Sequence, residues 1–316
     1  SDRAVINWQR FSIDSGEVTR FNQPSSRSAV LNRVTGALSS DINGNLQANG
    51  RVFLINPNGV VVGPEGRIQT GGFTASTLDL PDASFMQGGD LLFSGGSAGG
   101  VVNLGSIAAE NGDILLIGRQ VKNEGILTAP NGTVGLAAGG EVLLMNSGDQ
   151  RLVVRTGLPE AGAPAAGIDN SGLIEAARAE LQAVGGNVYA LAVNNSGVVR
   201  ATGIASQDGR VLLKAEGGAI VHSGTITAAD ENGNGGTIRL QAEGDVASAI
   251  TVSGALDVSA PAPGAKGGTV TLTADEISLA DGTLIDASGD AGGGAVQVGG
   301  GYQGKDSQID NARQVS

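Results

Sequence analysis

Cysteine is absent from the chain, and with it go disulfide scaffolds, thiolate metal sites and cysteine nucleophiles. The absence fits a reducing compartment. It also fits export of an unfolded chain through a narrow pore, where an early cross-link would jam passage. Aromatic residues are scarce at 3%, so a core of thin, repeated layers is expected. Proline is scarce too, 9 of 316 residues, and the 53 glycines follow no strict period of three, which excludes a collagen-like triple helix. The 19 Lys and Arg are outnumbered by 31 Asp and Glu, for a net charge of −12, and they are scattered. No basic stripe exists to neutralise phosphates, so nucleic acid is not an expected partner and anionic lipid is a poor one. Nor does any apolar run reach the roughly 20 residues of a membrane-spanning helix.

What is present is 40% apolar residue, much of it β-branched, enough to bury a core against the cost of chain entropy. From about residue 100 two phrases alternate. One is "(N)xGxIxA", seen as "VNLGSIA" at 102–108, "NEGILTA" at 123–129, "NSGLIEA" at 170–176, "NSGVVRA" at 195–201 and "HSGTITA" at 222–228. The other is "(G)GxVxLxA", seen as "NGTVGLAA" at 131–138, "DGRVLLKA" at 208–215, "GGTIRLQA" at 235–242 and "GGTVTLTA" at 267–274. Glycines of the first phrase fall at 105, 125, 172, 197, 224, 254 and 282. One interval, 125 to 172, is long enough for two turns or for a turn with an insertion. Apolar and polar residues alternate within each phrase, the period of a half-buried strand. Gly, Asn and Asp between the phrases are expected to supply corners with φ > 0, and the single histidine, His222, to be an ordinary turn residue.

Short strands rewritten every 20–30 residues predict an all-β solenoid, a parallel β-helix of roughly thirteen coils about 4.8 Å apart. A propeller would carry longer, aromatic-marked blades. Two sections are expected: 1–95, where seven of the nine aromatics lie (Trp8, Phe11, Phe21, Phe53, Phe73, Phe85 and Phe93), and a repetitive shaft over 96–316. An atypical terminal section is what a solenoid needs to close an open end. The stretches 157–167 and 259–268 read as extruded loops.

One segment interrupts the pattern oddly. In "VFLINPNGVVVG" an apolar strand runs into Asn56-Pro57-Asn58-Gly59 and resumes at once. Pro57 presets φ, pushes Asn56 extended, and Asn58-Gly59 suits a tight corner. These four residues are therefore either a coil corner or a signal that a partner also reads. Catalytic chemistry finds little support. There is no Asp-Asp pair, and Asp257, Asp275, Glu276, Asp281, Asp286 and Asp290 read as a solvated face. "DENGNGGTI" at 230–238 does not build the serial nonapeptide of calcium-loading repeats. No catalytic residue, cofactor or metal ligand is assigned.

The stretches "INWQRFSIDSGEVTRFNQPSSRSAVLNRVTG" and "GNLQANGRVFLINPNGVVVGPEGRIQTGGFTASTLDL" resemble the secretion domain of two-partner-secretion exoproteins. That family includes the filamentous haemagglutinins, high-molecular-weight adhesins and haem-acquisition exoproteins of Gram-negative bacteria. The likeness spans residues 4–80, with "NRVTG" (Asn32 and Arg33 onward), "NPNGV" and "FTASTLDL" as its firmest parts. It implies a right-handed β-helix that is not an enzyme. It also implies a partner, the periplasmic domains of a dedicated outer-membrane β-barrel transporter, through which the chain threads to the cell surface or beyond. Asn32, Arg33 and Asn56 to Gly59 become the candidate recognition or corner residues. An upstream capping region is expected in such proteins, and only three residues precede Ala4 here; the last residues read as a coil beginning. The expected role is a secreted adhesin or matrix scaffold meeting a host receptor, glycan or matrix component. A carbohydrate-active β-helix enzyme and a self-assembling fibre are the alternatives.

Overall fold

A computed structural model describes residues 1–97, 99–146, 150–155, 167–184, 191–204, 209–244, 248–306 and 309–316. The chain winds as a parallel β-helix whose coils lay strands on three faces. The first face starts with Arg3–Trp8, Ala29–Val34, Arg51–Ile55 and Gly72–Ser76 and ends at Ala295–Val298. The second runs from Val18–Phe21 to Leu284–Asp286. The third runs from Ser40–Ile42 to Gln314–Val315, ten strands. An isolated bridge from Ile13 to Ile42 adds one more layer to it, so the described residues make eleven coils rather than thirteen. Part of the difference is chain spent outside the rod, in insertions that carry Asp82–Gln87, Leu91–Ser94, Glu141–Leu144 and Leu152–Arg155.

Stacking explains why alternation was enough to write this fold. Pairing across the coils puts like on like: Val121, Ile168, Val193, Ile220, Ile250 and Ile277 form one inward column. Leu181, Leu213, Leu240 and Leu272 form another. A one-residue slip would turn each such column out to water, so burial enforces the register.

The recurrent glycines do a different job from the one expected. Those at 125, 172, 197 and 224 do not have positive φ. Instead, a Cβ on Gly125 would sit 2.1 Å from the Gly105 carbonyl oxygen, on Gly172 2.2 Å from that of Gly125, and on Gly224 2.0 Å from that of Gly197. Corners stack backbone on backbone, and glycine is retained because nothing larger fits. The stretch 259–268 is likewise no extruded loop: Ala260 and Ala265 are buried, and Ala260 and Lys266 bridge to Gly289 and Gly292. Of 157–167 all but Gly167 lies outside the described residues.

Two residues before each of these glycines, on the third face, stands a buried polar side chain. Asn103 donates its amide to Asn123 Oδ1 at 2.8 Å, Asn123 to Asn170 at 2.8 Å, and Asn170 to Asn195 at 2.7 Å. All four are fully buried. His222 ends the ladder. Its Nδ1 lies 3.0 Å from the Asn195 amide nitrogen and its Nε2 3.1 Å from the Ala255 carbonyl, which assigns the neutral tautomer with the proton on Nε2. Burial is the main cause that holds the imidazole below its ordinary pKa. These residues were expected to be turn formers; they are strand residues pointing inward. The column continues as Val62 below Asn103 and Val252 above His222.

The insertions build a second core against the outside of the first face. Strand Leu91–Ser94 pairs antiparallel with Glu141–Leu144, which pairs with Leu152–Arg155. Together with a short helix, Asp82–Gln87, they cover Leu31, Phe53, Ile55, Leu115, Ile117 and Ala137. Phe53 and Phe85 meet edge to face at 5.3 Å. The 47-residue glycine interval is thus one coil carrying the Glu141–Arg155 hairpin. Buried Glu180, its pKa raised chiefly by burial, anchors that hairpin by accepting the Arg151 and Leu152 backbone N–H groups. Of the seven early aromatics, Phe73 lies within the rod. Phe53, Phe85 and Phe93 belong to the outer core, while Trp8, Phe11 and Phe21 pack at the end of the stack.

Candidate functional site

The corner at Asn56 to Gly59 joins the first face to the third, the same edge from which both insertions leave. Arg51–Ile55 ends where proline cannot continue a ladder. The Asn56 backbone N–H still donates to the Ser76 carbonyl at 2.9 Å, and the Gly59 N–H closes the turn on the Asn56 carbonyl at 3.1 Å. Gly59 takes φ +117°, a region that disfavours any side chain.

The Asn56 side chain is buried and fully spent. Its amide donates to the Leu38 carbonyl and to Ser40 Oγ, both at 3.0 Å, and its oxygen accepts the Asn58 backbone N–H at 2.9 Å. Asn58 donates its own amide to the Gly36 carbonyl at 2.9 Å. Ser97 Oγ donates to the Pro57 carbonyl. The corners at 35–39 and 56–59, and Ser97 in the next coil, are therefore riveted together by side chains. Gly36 is held so close beneath that a Cβ would meet the Gln9 carbonyl oxygen at 2.1 Å. Pro57 and Asn58 face solvent, whereas Asn56 and Gly59 do not.

The other two candidates lie one corner earlier and turn elsewhere. Asn32 is fully buried; it accepts the Trp8 indole N–H at 3.0 Å and donates to the Phe53 carbonyl at 3.3 Å. Arg33 is half-buried on the outside of the first face. Its Nε donates to Asp79 at 2.9 Å, and its terminal nitrogens reach Asp82 and the Leu80 carbonyl. It pins the start of the first insertion to the rod. The fold thus separates the six residues into an exposed pair, a buried pair beneath it, and two clamps that hold the neighbouring strand and insertion. The amide ladder, which was not read from the sequence, left one signal there: Asn at a constant offset of two before the repeated glycine.

The late carboxylates serve turns, two of them within their own turn and two across to the preceding coil. Asp257 accepts the Ser259 N–H, Asp286 the Ser288 N–H and Asp290 the Gly264 N–H, each at 2.8 Å. Asp275 takes the Ser248 N–H at 2.9 Å, and that bond is the leading cause of its lowered pKa. Asp230, in the calcium-like stretch, spends its carboxylate on Asn232 and Asn234. A groove of about 600 Å³ along Arg20, Gln47 and Gln69 contains one carboxylate, Glu110, one short of the pair that glycoside hydrolysis uses.

Residues 1–228 match the family described as TPS secretion domain. The chain belongs to that family. It is 33% identical over 221 residues to the heme/hemopexin-binding protein of Haemophilus influenzae (strain ATCC 51907 / DSM 11121 / KW20 / Rd), covering 67% of this chain and 24% of that protein. It is 42% identical over 80 residues to another Haemophilus influenzae heme/hemopexin-binding protein, 25% of this chain and 9% of that one. The chain therefore spans about a quarter of the first relative's length. Among solved structures it is similar to the HMW1 secretion domain from Haemophilus influenzae, with TM-score 0.66 and 25% identity, over 99% of this chain and 94% of that one. Proteins of the TPS secretion domain family are Gram-negative exoproteins secreted through the outer membrane to the cell surface or medium. Among the described residues, no helix is long and apolar enough to cross a membrane.

Proposed function

We propose that this TPS secretion domain directs export by presenting the Asn56 to Gly59 corner to the periplasmic domains of a dedicated outer-membrane β-barrel transporter. The observation that carries the reading is the division of labour within four residues. Asn56 and Gly59 are buried in backbone contacts, while Pro57 and Asn58 stand exposed on a braced edge. Residues 1–95 act as the recognised section and 96–316 as the shaft that stacks on it. Each emerging coil completes the hydrogen bonds of the coil before, which favours onward movement over back-sliding. The exported rod then serves adhesion or surface scaffolding, toward a receptor, glycan or matrix component. The relatives' names refer to heme and hemopexin; in this chain the one histidine, His222, has both ring nitrogens engaged inside the rod and offers no ligand to a haem iron.

The test is export. With a signal peptide supplied, the chain is expected in the medium only when its transporter is co-expressed. Equal secretion without the transporter overturns the reading. Asn58→Ala is expected to lower secretion at least several-fold while the purified protein keeps its strand content by circular dichroism.

A further inference from the structure

On the corner at 35–39, whose backbone the Asn56 corner braces, one large apolar side chain stands exposed. Leu38 is 62% exposed; among the large hydrophobic side chains of the described residues only Tyr302, at 86%, is more so. A lone surface leucine is ordinary in itself. What distinguishes Leu38 is the scaffolding beneath it. The buried Asn56 amide holds the Leu38 carbonyl, and Asn58 holds the Gly36 carbonyl two residues earlier. Ser40 Oγ, on the other side, accepts from the same Asn56 amide, and the Ser40 N–H donates to the Gly59 carbonyl at 3.0 Å. Backbone on both flanks of Leu38 is thus fixed by the motif itself. Its chain neighbour Ala37 is exposed as well, so this turn shows apolar side chains to solvent while polar side chains hold its backbone.

We propose that Leu38 is the apolar contact of this surface, seated in a hydrophobic depression on the transporter's periplasmic domain, and that Asn56 and Asn58 are positioning residues acting through it. The occupant follows from the corner's continuity with the export motif of a secretion-domain family, so the inference rests on the export reading above. Pre-ordering is the physical gain. A leucine presented on a braced turn loses little freedom on docking, and the surface it removes from water is kept as affinity. A motif that looks like a recognition sequence then works largely by geometry, one coil away from the side chain that touches the partner.

Binding of the whole chain to the purified periplasmic domains of its transporter, read by calorimetry, tests this. Leu38→Ser is expected to weaken binding about tenfold or more, with an unchanged thermal midpoint, and Leu38→Met to restore most of it. Asn58→Ala is expected to weaken binding and also to speed amide exchange at residues 36–39, which Leu38→Ser does not. Wild-type affinity in Leu38→Ser overturns the proposal while leaving the export reading intact. Absence of binding by the wild-type chain overturns both. Concentration-dependent dimers that Leu38→Ser dissolves would assign the side chain to self-association and overturn it too.

Discussion

The coils before residue 97 and those between Asn103 and His222 face the same problem, closing a thin stack, and solve it with different materials. The early coils use size. Trp8, Phe11 and Phe21 block the end, and Phe53, Phe85 and Phe93 build a second core outside the rod. The later coils use repetition: small aliphatic columns, glycine where corners touch, and a chain of buried amides on one face. The early coils can therefore carry individual features such as the Asn56 corner, because bulky contacts hold each in place separately. The later coils gain stability by sameness, since each hydrogen bond of the ladder requires the next layer.

That contrast predicts effects confined to one region or the other. The largest belongs to the outer core: Phe85→Ala, which removes a fully buried ring against Phe53 and under Arg3, should cost about 4 kcal/mol. Hydrogen exchange should then show the helix and hairpin opening while the ladder coils keep their protection. Loss of ladder protection in that variant would erase the distinction between the regions.

Next comes Asn170→Ala, in the middle of the ladder. It leaves the Asn123 amide without its acceptor and Asn195 Oδ1 without its donor, at a cost of about 3 kcal/mol for two stranded buried groups. Denaturant unfolding should show the loss, and exchange should rise in the coils on both sides of residue 170 but not at the Asn56 corner.

The smallest effect is acid sensitivity at the end of the ladder. The fold lowers the pKa of His222, so the unfolded chain takes up the proton first. The contribution is complete above the ordinary value of 6.5 and is lost as pH falls below it. A proton on Nδ1 would face the Asn195 amide; turning it to the Asn195 carbonyl, 3.1 Å away, leaves that amide without an acceptor. The ring is contacted by Asn195 and Ala255 and stacked under Val252, and no charged side chain contributes to its shift. Stability measured from pH 7.5 to 5 should fall in the wild type and change less in His222→Val, which continues the column as Val252 does.

Much of the architecture could be read from local pattern. The two phrases located most strands of the shaft, and "NPNG" marked a corner. The same reading misjudged the phrase glycines at 125, 172, 197 and 224, though not Gly282 at φ +90°, because a residue too crowded for a Cβ and a residue needing positive φ look alike in sequence. It also took Asn170 and His222 for turn formers. A single repeat shows an asparagine before a glycine; only neighbouring layers show that its amide has another amide above it. For the six candidate residues, their role at a corner or clamp was legible for Asn56 to Gly59, whereas the burial of Asn32 and the engagement of Arg33 with Asp79 and Asp82 were not. Those partners lie 46 and 49 residues away.

The amino-acid sequence by itself determined that this chain coils. Side-chain alternation at period two, with small residues at constant offsets, acts over a few residues and leaves few other ways to hide the apolar half. Tertiary structure alone decided which groups meet between coils: which asparagine holds the Leu38 carbonyl, where the amide ladder stops, and what the phenylalanines cover. Those contacts depend on how many residues each coil spends before returning to the same face, and insertions of unequal length set that number.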